Sequence, residues 1–137
     1  MNHMSKSQNE SMQELTRAEE EVMQILWKMG KGFVNEVLEH FPEPKPAYNT
    51  VSTIIRILEK KGFIGHRAFG KAHQYYPKVL KQDYTRQFMG NFMKGYFDNS
   101  YRKMVSFFSG DENITVKEME EIRKIIDQQI EQKKSKT

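Results

Sequence analysis

Cysteine is absent from the 137 residues, which excludes a disulfide framework and any thiolate metal site and agrees with a reducing compartment. Also absent is any apolar run near the roughly 18 residues of a membrane span. The polar opening MNHMSKSQNES has no signal-peptide core, so a cytoplasmic protein without membrane insertion is expected. Histidine occurs four times, but no pair has a third ligand at a metal-binding spacing, and no metal site is assigned. A phosphate-cradling glycine loop, a nucleophile motif and a convergent carboxylate pair are all missing, which leaves no basis for an enzyme or a cofactor.

What is present is an uneven distribution of charge. Residues 1–42 carry four basic and seven acidic side chains, and residues 83–137 carry ten and nine. Between them, residues 43–82 hold eight basic and two acidic side chains, a net of +6. Positive charge concentrated in one segment suits the approach to a phosphate backbone.

That segment contains AYNTVSTIIRILEKKG, Ala47 to Gly62. On a wheel of about 100° per residue, Tyr48, Val51, Ile54, Ile55 and Leu58 gather on one side and Asn49, Ser52, Thr53, Arg56 and Lys60 on the other. The first face calls for a core. The second carries short hydrogen-bonding groups beside an arginine instead of the Glu–Lys pairs of a solvated surface, and such groups match base edges. Asn49, Ser52, Thr53 and Arg56 are therefore assigned to face bases.

Thr16-Arg17-Ala18-Glu19 is a capping-box pattern, and the helix it opens places Ala18, Val22, Ile25, Leu26 and Met29 on one stripe before Gly30. Met23 and Trp27 fall on its flank. After Gly30-Lys31-Gly32, the spacing of Val34, Val37, Leu38 and Phe41 describes a short second helix, which Pro42, Pro44 and Pro46 end. A short helix, a turn and a longer helix with a polar outer face predict a helix-turn-helix. Gly62 stops the longer helix, and Lys60 and Lys61 suit its last turn. Phe63–Phe69 and Ala72–Tyr76, separated by Gly70-Lys71, predict a β-hairpin wing with Lys71 at its tip, Arg67 nearby and His66 facing His73. Tyr48, Thr50, Lys60, Arg67 and Lys71 complete the surface as phosphate or wing contacts.

From about Gln82 helical periodicity returns. Tyr84, Phe88, Phe92 and Tyr96 recur every four residues, widened by Met89, Met93 and Phe97. Tyr101, Met104, Val105 and Phe108 form a second face, and a capping box at Thr115–Glu118 opens a third helix bearing Met119, Ile122, Ile126 and Ile130. So much apolar surface in about fifty residues is not readily buried alone. A second copy covering it predicts a homodimer through these residues; packing back onto the winged segment is the alternative. The expected fold is mainly α with a small β-hairpin wing. Its parts are a disordered start at 1–14, a winged helix-turn-helix at 15–80, a helical dimerisation region at 81–132 and a disordered tail at 133–137.

Several motifs occur in order along the chain: L-T-x-A-E at Leu15–Glu19, V-M-x-x-L-W at Val22–Trp27, and N-E-V at Asn35–Val37. Tyr48-Asn49-Thr50-Val51, Leu58-Glu59-Lys60-Lys61-Gly62 and Tyr76-Pro77 continue the series. From about Leu15 to Gln132 the chain resembles the BlaI/MecI/CopY family of bacterial winged-helix repressors, whose best-known members control β-lactam resistance genes. The resemblance implies a cytoplasmic homodimer bound to a palindromic double-stranded DNA operator, and in the β-lactam branch release by a membrane-bound sensor protease. The bond cut in that branch, Asn-Phe, aligns with Ser106-Phe107, where the phenylalanine is kept and the asparagine is not. Copper sensing in this family uses C-terminal cysteines, which this chain lacks. Two other readings stay open: a regulator that binds a small molecule among the C-terminal aromatic helices, and a winged module that binds a protein partner and no DNA.

Overall fold

The computed structural model describes residues 13–136, so the expected disorder at 1–14 falls, up to residue 12, outside the described residues, as does Thr137. The elements follow in the order α1 (Arg17–Met29), α2 (Val34–Glu39), α3 (Tyr48–Lys60), β1 (Ile64–Phe69), β2 (Ala72–Pro77), α4 (Lys81–Phe97), α5 (Tyr101–Ser109) and α6 (Val116–Lys136). They divide into two compact units, with the division inside α4 between Phe88 and Met89.

In the first unit, Thr16 caps α1 with both arms of the box formed. Its hydroxyl accepts from the Glu19 N–H at 3.2 Å, and its own N–H donates to the Glu19 carboxylate at 3.0 Å. Gly30 ends the helix at φ 87°, a conformation that favours glycine. α1, α2 and α3 pack around Val22, Met23, Leu26, Val37, Val51, Ile55 and Leu58, all fully buried, and Phe63, Ile64 and Tyr75 close the core from the hairpin. The α1 stripe is rotated from the expected one: Met23 is buried and Ala18 exposed, because α3 and the hairpin cover the side of α1 that the sequence left as a flank.

The six-residue α2 is followed by a proline-rich loop. Lys45 closes this loop by donating to the carbonyls of Glu39 and Phe41 at 2.8 and 2.9 Å, which occupies one of the basic side chains of the midsection. β1 and β2 pair antiparallel, with His66 opposite Tyr75 and Ala68 opposite His73. Gly32, expected only as part of a turn, adds a one-residue bridge to β2, exchanging both backbone bonds with Tyr75.

Tyr84 corrects the expected boundary at residue 80. Its ring lies 5.9 Å from those of Trp27 and Phe63, its hydroxyl accepts from the Leu15 N–H at 2.8 Å, and it is buried in the winged-domain core. Trp27 donates its indole N–H to the Val79 carbonyl at 2.8 Å, which fixes the chain just before α4. The first turns of α4 thus complete the first unit.

In the second unit, Asp98 and Asn99 take left-handed backbone conformations between α4 and α5, and the Ser100 hydroxyl caps α5 by accepting from Lys103 N–H. Thr115 and Glu118 form the second capping box. α6 continues to Lys136, beyond the expected end of order at 132. Lys133, Lys134 and Lys136 in its last turn meet the negative end of the helix dipole, a contribution the apolar periodicity does not register. No residue of α5 or α6 is fully buried.

Candidate nucleic-acid interface

The outer surface of α3 follows from the core beneath it. With Val51, Ile55 and Leu58 buried, geometry turns Asn49, Thr53, Arg56 and Lys60 outward along a stripe about 60° wide, and all four are exposed. Ser52 is only half-buried and lies toward the wing. Arg56 lies along the helix, its Nε donating to the Ser52 carbonyl at 3.4 Å. Thr50 and the 40% exposed Ile57 flank the stripe on the side away from the wing.

Tyr48 departs from its expected place on the apolar face. It is 48% exposed, because the first turn of α3 projects past the core and the ring lies over the wing side. There, α2, α3 and the wing enclose a polar hollow of about 200 Å³, lined among others by Asn35, Tyr48, Ser52, Lys71 and His73. Among the described residues no acidic side chain lines it. Asn35 and His73 were not singled out for this role by the sequence, since neither belongs to α3: the packing of α2 brings Asn35 beside it and the folded wing brings His73.

The one acid of α3, Glu59, is turned from the outer stripe to the wing, where the Nδ1–H of His66 donates to its carboxylate. His66 and His73 do face each other, with parallel rings 4.1 Å apart, and Tyr75 stands edge-on to His73. Burial pushes the Tyr75 hydroxyl above its ordinary pKa, and Glu59 adds to the shift, so it remains a neutral phenol at physiological pH. Among the described residues no three His, Cys, Asp or Glu side chains are grouped so as to hold a metal ion.

Two cations behave differently from expectation. Lys61 turns inward and binds both carboxylate oxygens of Glu19 at 2.9 and 2.8 Å. Burial raises the pKa of that carboxyl, but the Lys61 ammonium and the Thr16 N–H outweigh it and hold Glu19 below the ordinary carboxylate range. Arg67 projects from the hairpin face opposite His66 and His73, its guanidinium 5.1 Å from the Phe69 ring centre. Lys71, in the turn of the hairpin, lines the hollow beside α3, and Arg67 does not.

Of the expected interface residues, Phe88, Tyr96, Tyr101, Val105 and Ile126 are exposed, and Phe92, Met104, Phe108, Met119 and Ile122 are half-buried. Ser106 is exposed on α5, and Phe107 is 72% exposed with its ring 5.8 Å from Phe97. Among the described residues no helix is long and apolar enough to cross a membrane.

A short helix, a longer helix with an acid-free outer stripe and a hairpin packed beside it make this a winged helix-turn-helix protein. Residues 15–128 match the family model for the penicillinase repressor. The chain is 32% identical over 114 residues to the methicillin resistance regulatory protein MecI of Staphylococcus aureus (strain N315), a match covering 82% of this chain and 93% of that one. It is 25% identical over 122 residues to the penicillinase repressor of Bacillus licheniformis, covering 88% and 95%. A solution structure of the DNA binding domain of the repressor BlaI aligns at a TM-score of 0.46 with 30% identity, over 51% of this chain and 87% of that one. The chain belongs to the penicillinase repressor family.

Proposed function

We propose that this protein is a sequence-specific DNA-binding transcriptional repressor that acts in the cytoplasm as a homodimer on a palindromic operator. The observation that carries the reading is the outer stripe of α3, where Asn49, Thr53 and Arg56 stand exposed together while Glu59 is held aside by His66. Asn suits adenine and Arg suits guanine in the major groove, with Thr able to serve either. Backbone phosphates are met by Lys60, Thr50 and the hollow of Tyr48, Ser52, Lys71, Asn35 and His73, which moves Ser52 from base reading to phosphate contact. Arg67, on the far face of the wing, reaches DNA only by its own side of the hairpin.

The dimer rests on the exposed apolar residues of the second unit. Tyr96, Tyr101, Phe107, Val116 and Ile125 are each more than half exposed, and a second copy supplies the cover they lack. Two half-sites read by one dimer gain from effective concentration, so loss of the dimer weakens operator binding steeply. Release is proposed to follow cleavage of Ser106–Phe107 by a membrane-bound sensor protease. The bond lies in a nine-residue helix with no buried residue, a segment of low local stability suited to opening into a protease cleft. Intact mass of the repressor in cells treated with a cell-wall antibiotic checks this: induced transcription from an uncut chain contradicts it.

The experiment for the function itself is selection of genomic DNA fragments bound by the purified protein. Enrichment of one inverted repeat is expected, and enrichment of nothing above random fragments contradicts the proposal.

A further inference from the structure

On the first unit, clear of the α3 stripe, the last turns of α1 and the start of α4 border a cleft of about 700 Å³. Its apolar wall is formed by Ile25, Trp27 and Leu80. Trp27 is held rigidly, because its indole N–H is committed to the Val79 carbonyl. Leu80 is 62% exposed, a large apolar side chain standing open at the cleft. Lys28 and Lys81 supply the charge, and neither has a carboxylate partner among the described residues. His40 also lines the cleft; its Nδ1–H donates to the Glu36 carbonyl at 2.9 Å, which leaves Nε2 available to a ligand. Among the described residues no lining side chain is acidic.

An apolar wall with a rigid aromatic face and two ammonium groups, with no acid beside them among the described residues, form a site of definite chemistry. Its volume lies in the range of small-molecule pockets, and its charge is complementary to a single anionic group. We propose that the cleft binds a small apolar carboxylic acid, its ring or chain against Trp27, Ile25 and Leu80 and its carboxylate met by Lys28 and Lys81. The site is distinct from the C-terminal aromatic helices, where the sequence suggested a ligand. Because Lys81 opens α4, an occupant ties the end of α1 to the helix that continues into the second unit.

Trp27 is the one tryptophan of the chain, so its fluorescence and its indole N–H resonance both arise from a residue of this cleft. The full-length protein is titrated with 4-phenylbutyrate, with the uncharged isostere 4-phenylbutanol and a tetraglutamate peptide as counter-probes. The expected result is a saturable Trp27 response to the acid with a Kd of about 1 mM or tighter, and binding of the alcohol about tenfold weaker. Lys28→Gln/Lys81→Gln is expected to weaken the acid about tenfold and leave the alcohol unchanged, whereas Leu80→Ser weakens both. All three positions are at the surface, and circular dichroism confirms that each variant is folded. Any of four results overturns the proposal: no saturable response to the acid, equal binding of acid and alcohol, wild-type binding of the acid by the lysine variant, or tighter binding of tetraglutamate.

Discussion

Removing the Lys61 ammonium is expected to destabilise the first unit and to alter its response to acid. Glu19 is 5% exposed, and its carboxylate is held by Lys61 at 2.8 and 2.9 Å and by the Thr16 N–H at 3.0 Å. In Lys61→Met the Thr16 bond remains, but the buried charge loses its counterion. Breaking such a pair costs about 3–5 kcal/mol when fully buried. The Lys61 side chain is 26% exposed, so water partly replaces it, and about 2 kcal/mol is expected at pH 7.

The pH response supplies the sign. In the wild type the folded pKa of Glu19 lies below its unfolded value, so the unfolded chain binds more protons. The stability from this group is present above the ordinary carboxylate pKa and is lost as pH falls through the depressed one. Without Lys61 burial is opposed by Thr16 alone and the folded pKa is expected to rise above that of the wild type, so the variant gains stability relative to wild type as pH falls toward 4. Urea denaturation followed by Trp27 fluorescence at pH 7 and pH 4 measures both. A Lys61→Met protein within about 0.5 kcal/mol of wild type at pH 7, or one with the wild-type pH slope, refutes the reasoning.

Tyr84→Phe removes the acceptor of the Leu15 N–H while keeping the ring against Trp27 and Phe63, and a loss of about 1 kcal/mol in urea denaturation is expected. Truncation after Phe88 should leave a folded winged domain that sediments as a monomer and binds operator weakly, whereas truncation at residue 81 should unfold it through loss of Tyr84. Equal folding of the two fragments, by circular dichroism, would show that Tyr84 is not part of that core. Lys71→Ala should weaken binding to all DNA sequences alike and lower the salt slope by about 1, as anisotropy titrations at several salt concentrations will measure.

How much of this was legible in the sequence depends on the distance over which each feature is encoded. The capping boxes Thr16–Glu19 and Thr115–Glu118, the α3 core positions Val51, Ile55 and Leu58 and the turn at Gly70-Lys71 are local patterns, and each stands where its spacing put it. Lys61 and Glu19 are 42 residues apart, Leu15 and Tyr84 are 69 apart, and no periodicity links either pair. Tyr84 is the instructive case. Its four-residue repeat with Phe88, Phe92 and Tyr96 is genuine, but one helix serves two units, and a repeat does not mark where one core ends. The outer face of α3 was readable because the core side defines it by exclusion; the hollow beside it was not, since Asn35 and His73 arrive from other elements. Glu59 carried no mark in the sequence of being turned away from DNA, because only the folded hairpin brings His66 to it.

The central claim is that the α3 stripe reads bases, and Arg56→Ala tests it most directly when its binding to the selected operator and to random duplex DNA is compared at the same salt concentration. The account predicts a loss of about 1–3 kcal/mol per half-site on the operator, relaxed preference at one base position and little change on random DNA. Equal losses on operator and random DNA would contradict it and make Arg56 a phosphate contact.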